Sequence, residues 1–598
     1  MEQENGSYRS QKIIRVIILL IISGGFFVTA SLFNLYGQAG GFVKWNSPDE
    51  TANYYFAKLY AQTGNLSSFE KFNRLVENII APRSIQSDNG YLKPVSFLGM
   101  TLIYGKLAGL TSIKLLPYFT PAFAALGLIF FYFFVKELFG PSTGLVSAAL
   151  LALFPPYFYY ASRSMFHNVL FVVLLIIGLY FATIMSKKDR IIAVYDDDDR
   201  ELKKKARNAR LKNMVPRLIY PAIAGLFVGA AVMTRTSELL WLAPVLFFGW
   251  LFNYKRIGLI RLVVFLLFLV VAATPVLYWN KQLYGGAFKS GYPQMNNSLV
   301  NLVTTSQGLV KSVIDADLLK QRQLWSFFKS TIFFFGFDSE LSLRNFYNYV
   351  YMMFPWLFYG AGLGLVVFLL DMKRIRSRQM IFVFCWTLAS VILVFYYGSW
   401  QFHDNPDPRV FTIGNSYTRY WLPIYLGAIP FAGLLIVKLT RLAKFRFAVG
   451  FARIYLVSVI GIFSVLFILF GSNEGLVPTY YVMRENKAQA DKIFALTEPG
   501  AVIITRYHDK VLFPEREVIV GLFDDDRMNA EYGKLVRLTP VYYYNFSYKP
   551  ADVEYLNRTK LSKSGVGIRE VSAITKQFSL YKLYATSTPV LASQIKAK

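Results

Sequence analysis

LLPYFTPAFAALGLIFFYFFVKE, residues 115–137, sets the fold class. It runs apolar for more than the ~20 residues an α-helix needs to cross a hydrocarbon core of roughly 30 Å, and its first cation, Lys136, stands at its end. Similar runs recur over 15–36, 143–161, 167–186, 218–235, 237–253, 260–279, 349–370, 379–397, 420–438 and 450–471, giving about eleven candidate spans. The last 125 or so residues contain none. Composition agrees: of 598 residues 55% are hydrophobic and 17% aromatic, with a mean hydropathy of +0.38, too apolar for ordinary soluble domains.

The formal net charge of +28 points to topology rather than to nucleic acid, because Lys and Arg cluster in short connectors between apolar runs. With the N-terminus cytoplasmic, every even-numbered span ends in a basic loop. These carry Lys136; Lys187, Lys188 and Arg190 through Lys203–Lys205 to Arg217; Lys255 and Arg256; Lys373, Arg374, Arg376 and Arg378; and Lys438, Arg441, Lys444 and Arg446. Arg9, Lys12 and Arg15 ahead of the first run read as a retained signal anchor. Cys385, the only cysteine, lies inside an apolar run, which excludes a disulfide framework and a cysteine-based metal site. The acidic run Asp196–Asp199, followed by Lys203–Lys205, reads as a solvated charged loop.

Pro94–Gly109 is apolar but only about 16 residues long. Counted as a crossing, it would move the basic 187–217 loop to the outer face, so it is expected to be an interfacial or re-entrant helix inside a first outer loop, 37–114. The expected fold is therefore an α-helical polytopic membrane domain over 1–471 and a C-terminal extracytoplasmic α/β domain over 472–598. In the latter, β-type runs (Ala501–Thr505, Val518–Val520, Val541–Tyr544) alternate with helix-like stretches (Glu485–Leu496, Met528–Arg537, Ala551–Leu561). His508, Asp509 and Asp524–Asp526 are expected on its exposed loops.

Five polar stretches fall on the outer face of this topology. Ser47-Pro48-Asp49-Glu50 has the pattern of a capping box with Pro at the first helical position, which uses Ser47 and Glu50 and leaves Asp49 as a carboxylate able to deprotonate an acceptor. In Tyr91-Leu92-Lys93-Pro94 the ammonium could snorkel to headgroups or meet a lipid phosphate. Ser162-Arg163-Ser164-Met165-Phe166-His167 offers an interfacial anchor or a cation, with His167 as base, donor or structural residue. Arg235 and Glu238 in Thr234-Arg235-Thr236-Ser237-Glu238 could pair at i,i+3. Arg419 opens a span in Arg419-Tyr420-Trp421-Leu422-Pro423, where an aromatic belt already explains Tyr420. Together they place a carboxylate and several cations (Lys93, Arg163, Arg235, Arg419) at one water–lipid boundary.

These stretches resemble the GT-C membrane glycosyltransferases, specifically the family 39-like group of protein O-mannosyltransferases and aminoarabinose transferases, over roughly residues 15–440. Asp49-Glu50 in SPDETANYYFAKLYAQTG is similar to the acidic pair opening that group's first outer loop. Lys93-Pro94 in YLKPVSFLGMTLIYGKLAG, GLFVGAAVMTR ending at Arg235, and RYWLP from Arg419 to Pro423 resemble its later motifs. The resemblance implies a polyprenyl-phosphate sugar donor, an extracytoplasmic acceptor (protein, lipid or glycan) and inversion. It implies Asp49 as base with Glu50 beside it, Lys93, Arg163, Arg235 and Arg419 about the donor phosphate, and Tyr54, His167 and Tyr420 at the substrates. It also implies a plasma-membrane enzyme of the cell envelope that engages no nucleic acid. Where the group commonly carries an acid after the Ser-Arg pair, this sequence has His167 or Asn168; a divalent metal is possible within the group but not supported here, and no cofactor or metal ligand is assigned.

Two alternatives stay open. An oligosaccharyltransferase or glycan ligase would use a lipid-pyrophosphate donor, but the C-terminal region lacks a Trp-Trp-Asp signature. A lipid or glycan transporter would keep polar sites at the bilayer midplane between repeated halves, whereas these charges lie at the boundary and no internal repeat is found.

Overall fold

A computed structural model describes residues 2–38, 44–185, 218–292, 333, 336–371, 375–402, 404, 410–442 and 445–586. The expected acidic run Asp196–Asp199, the basic loop 187–217, most of the 280–348 loop, and Lys373, Arg374 and Lys444 lie outside the described residues. The chain divides into two compact units: Met1–Phe33, Tyr118–Tyr278 and Pro293–Pro478 form one, and Asn34–Pro117, Trp279–Tyr292 and Thr479–Lys598 the other. Residues 34–117 thus cluster with the C-terminal region.

The first unit is a helical bundle. Among the described residues seven helices are long and apolar enough to span a membrane, and up to ten if each of three bent pairs is one span. The eleven expected runs map onto these, the difference being that 218–235 and 237–253 form one bent pair, Leu218–Thr234 and Thr236–Phe252, turning by 115° at Arg235. Pro141–Ala152 and Pro155–Arg163 meet at 54°, where Pro155 and Pro156 cannot continue the preceding hydrogen-bond ladder. Leu422–Thr440 is the central helix, with 78% of its apolar window buried, whereas Tyr254–Tyr284 and Phe447–Phe470 bury 17% of theirs and turn Leu, Val, Ile and Phe outward. Such apolar faces suit lipid rather than water. The glycines of GLFVGAAVMTR have a packing cause. A Cβ at Gly225 would clash with the Phe265 carbonyl oxygen and one at Gly229 would lie 2.5 Å from that of Leu269, so two backbones touch along a small-xxx-small stripe.

The second unit holds two sheets. Ser68–Phe69 (β1), Ile85–Asp88 (β2) and Tyr91–Pro94 (β3) form an antiparallel sheet in the order β1-β3-β2. Lys93 therefore lies on a central strand, where the sequence suggested the start of a helix; the apolar helix follows at Leu98–Leu110. It packs on helix Pro48–Thr63 so closely that a Cβ at Gly105 would meet the Ala57 carbonyl at 2.8 Å.

The C-terminal sheet comprises Val502–Thr505 (β4), Glu517–Val520 (β5), Val541–Phe546 (β6), Val566–Ala573 (β7) and Phe578–Ala585 (β8), ordered β5-β4-β6-β8-β7. The three expected strands are its parallel half; the antiparallel β7–β8 pair is additional. Its core, with Val502, Ile504, Ile519, Tyr543 and Tyr581, also takes in Val76 and Ile80 from the first outer loop. Ala81 forms a parallel bridge to Ile519 on edge strand β5, covering backbone groups that an open edge would expose.

Candidate active site

The residues singled out from sequence divide between the two units. Arg163, His167, Arg235, Arg419 and Tyr420 belong to the bundle; Asp49, Glu50, Tyr54 and Lys93 belong to the sheet-containing unit.

In the bundle the bent pairs bring guanidiniums inside. Arg163, the last residue of helix Pro155–Arg163, donates from Nη1 to the Tyr159 hydroxyl at 2.8 Å and sits over the Phe166 ring at 5.4 Å. The opposite end of this contact is Arg419, on the short helix Ser416–Tyr420, 4.6 Å from the same ring and 5.3 Å from that of Tyr420. Arg235 lies 4.5 Å from the Tyr420 ring, and Tyr420 stacks on Tyr397 at 4.6 Å. The order is therefore Arg163, Phe166, Arg419, Tyr420, Arg235, with all three guanidiniums less than one-tenth exposed. Aromatic faces suit this setting because their quadrupoles attract a cation without the desolvation cost of further carboxylates.

One carboxylate, Glu238, is buried with them. Its Oε1 accepts from Arg235 Nε and from the Tyr397 hydroxyl, both at 2.8 Å, and its Oε2 from the indole of Trp241. The i,i+3 pairing read from sequence is thus present, but it does not exhaust Arg235, which also donates to Tyr397 at 3.1 Å. His167 is buried at the start of helix His167–Met185, and the next residue, Asn168, donates to the Arg419 carbonyl at 3.2 Å. Ser164 holds φ at +63° in a buried position and so turns the chain between Arg163 and His167; a non-glycine residue there is a strained geometry of the kind that clusters at functional sites. Sequence reasoning missed Phe166, Tyr397 and Trp241, which look like any other aromatics of an interface belt.

Trp241 also lines a cavity of about 620 Å³ inside the bundle. Its walls come from Phe131 and Phe134, Val172 to Met185, Leu239 to Asn253, Phe265 and the segment Pro423–Gly427 beyond Arg419, and are almost wholly apolar. A cavity so lined can hold hydrocarbon, and Trp241 connects it to the Arg235–Glu238 pair.

In the sheet-containing unit, Ser47–Glu50 starts helix Pro48–Thr63 as the capping pattern predicts: the Ser47 amide donates to Glu50 Oε2 at 2.9 Å, and Glu50 is fully buried. Asp49 is half-buried on the same turn and accepts from the Ser84 hydroxyl at 2.6 Å. Tyr54 packs against Trp45 at 5.8 Å, and burial raises its phenol above the usual range. Lys93 donates to Asp88 at 2.7 Å across the β2–β3 hairpin and to the Leu283 carbonyl at 2.9 Å. Its ammonium is therefore anchored by a mostly exposed acid on its own sheet.

Asp509 is not on an exposed loop, as its local sequence suggested. It is fully buried and binds Arg83, while Asp524–Asp526 are exposed as expected. The expectation failed because the partner lies more than 400 positions away in the chain, at a separation of 426. No group of three or more His, Cys, Asp or Glu side chains suited to a metal ion occurs among the described residues.

A family model described as dolichyl-phosphate-mannose-protein mannosyltransferase matches residues 104–195. No curated protein matches the chain significantly. Among solved structures, the Archaeoglobus fulgidus oligosaccharyltransferase in complex with Zn and sulfate superposes with a TM-score of 0.52 at 12% identity, over 94% of this chain and 72% of that one. ArnT from Cupriavidus metallidurans in the apo state gives a TM-score of 0.47 at 10% identity, over 96% of this chain and 98% of that one. The shared architecture, together with the family match over residues 104–195, shows a multi-pass membrane protein with a GT-C-like fold.

Proposed function

We propose that this protein transfers a sugar, with inversion, from a polyprenyl-phosphate donor to an extracytoplasmic acceptor that is a protein, a lipid or a glycan. It would act in the plasma membrane with its N-terminus cytoplasmic and its C-terminal region extracytoplasmic, the sidedness favoured by the basic connectors. Asp49 takes the acceptor proton as the acceptor oxygen or nitrogen attacks the anomeric carbon, and the bond from that carbon to the phosphate oxygen breaks. The leaving phosphate gains charge on its oxygens, and preorganised guanidiniums stabilise that gain more than they stabilise the intact donor. Arg163, Arg235 and Arg419 are assigned to this task, with Lys93 as a further cation and Tyr54, His167 and Tyr420 at the substrates. Glu50 supports the turn through its cap rather than sharing the proton.

The observation that carries this reading is the run of three buried guanidiniums on aromatic faces, joined through Trp241 to an apolar cavity. A phosphate esterified to a long hydrocarbon needs both features side by side. The second reading, an oligosaccharyltransferase with a lipid-pyrophosphate donor, draws support from the superposition on the archaeal enzyme. Mass spectrometry of lipid that copurifies with the protein tests both. A polyprenyl monophosphate sugar is the expected result, a polyprenyl pyrophosphate selects the second reading, and recovery of phospholipid alone contradicts both.

A further inference from the structure

Asp49 is held by Ser84, and the residue before Ser84, Arg83, is bound by Asp509 of the C-terminal region. The Asp509 carboxylate, with no exposure to solvent, accepts from the Arg83 amide at 2.9 Å, from Arg83 Nε at 3.1 and 3.2 Å, and from Arg83 Nη2 at 2.5 Å. A buried carboxylate that loses its cation is strongly unfavourable, so both the guanidinium and the backbone of Arg83 are fixed in place. Ser84 follows at φ +63°, a conformation that a serine adopts only when its flanks impose it. Here Arg83 imposes it from one side and strand β2, beginning at Ile85, from the other. The outcome is a Ser84 hydroxyl aimed at Asp49 Oδ1 at 2.6 Å. The neighbouring residue Lys510 holds the same turn, donating to the Asn46 carbonyl at 2.6 Å and accepting from the Thr51 hydroxyl at 3.4 Å.

We infer that Asp509, acting through Arg83 and Ser84, is a positioning residue for Asp49, so that the C-terminal region orients the base of the transfer reaction. The inference rests on the proposed role of Asp49 as that base. Neither Asp509 nor Arg83 needs to touch a substrate; the chain of contacts passes from a buried ion pair through a constrained backbone to one donated hydrogen bond.

The test uses the full-length protein in detergent, with the source cells' envelope fraction as donor and acceptor and release of free polyprenyl phosphate as the readout. Ser84→Ala and Asp509→Asn are each expected to lower kcat about tenfold, the worth of one hydrogen bond to a charged group, with KM unchanged. Because the two act in series, the double variant is expected to be no slower than the slower single one. Adding Ser84→Ala to Asp49→Asn is expected to change nothing further, a coupling that a merely structural role would not give. Hydrogen–deuterium exchange in Asp509→Asn should show faster exchange confined to residues 47–51 and 81–85. Wild-type kcat in both single variants beside an inactive Asp49→Asn overturns the inference and leaves the base assignment standing, whereas an active Asp49→Asn overturns both. If Asp509→Asn does not fold, Ser84→Ala alone decides, since it leaves the ion pair intact. Unchanged exchange at 47–51 in a folded Asp509→Asn also overturns the inference.

Discussion

Replacing Arg235 by Met should separate the structural work of the buried cluster from its proposed chemical work. Glu238 is 2% exposed and accepts from Arg235, Tyr397 and Trp241. Removing the guanidinium leaves a buried carboxylate with two neutral donors, and the loss of one partner of a buried pair costs about 3–5 kcal/mol. Tyr397 and Trp241 still satisfy the carboxylate in part, which places the expected cost near the lower end, about 3 kcal/mol, including the cation–π contact with Tyr420. Adding Glu238→Leu removes the stranded charge, so the double variant should recover to within about 1–2 kcal/mol of wild type, as apolar replacements of buried pairs commonly do. Unfolding by a denaturing detergent titrated into bicelles measures both values. Binding of undecaprenyl phosphate to the same samples should be weakened at least tenfold in the recovered double variant. A cost under about 1 kcal/mol for Arg235→Met would refute the buried pair as described. Wild-type lipid binding by the double variant would refute Arg235 as a phosphate ligand.

Further expectations concern packing and pH. Gly225→Leu drives a side chain into the Phe265 carbonyl and should cost at least 1–3 kcal/mol by overpacking, seen as loss of monodisperse protein; Gly24→Ala, where a Cβ meets nothing within 4 Å, should be neutral or stabilising, and equal behaviour of the two would contradict the close helix contact. Glu517, at the start of β5, has a carboxylate oxygen without a hydrogen-bond partner among the described residues, and burial together with the charge of Glu70 raises its pKa to about 7. Its folded value exceeds its unfolded one, so the folded state retains the proton longer, and this residue's contribution to stability falls as pH rises from about 4.5 to about 7. Glu517→Gln should therefore raise the melting temperature at pH 8 more than at pH 5, and an equal shift at both would show that the carboxyl is not buried as described.

Much of the helical bundle could be read from sequence because a membrane span has a simple signature: about twenty apolar residues and a cation at the inner end, as in 115–137. The bend at Arg235 was legible as a break between two apolar runs, but its 115° angle was not, since local sequence carries no angle between helices. The capping box at Ser47–Glu50 was fully local and so could be read directly. The three-stranded sheet escaped notice because β1 has two residues and β2 and β3 four each, too short for alternation to show. Ser84 carried no signal, and Asp509 read only as a polar loop residue: a serine before a strand and an aspartate after one acquire meaning only through partners 35 and 426 positions distant. Lys93 was found by pattern, while its anchoring by Asp88 depends on a hairpin the pattern did not reveal.

The central assignment is Asp49 as the base. Release of free polyprenyl phosphate from the source cells' envelope fraction, compared between wild type and Asp49→Asn of equal melting temperature, tests it most directly. Steady release by the wild type and a fall of at least a thousandfold in the variant are expected, in line with loss of a general base acting together with its surroundings; release at the wild-type rate by Asp49→Asn would overturn the assignment.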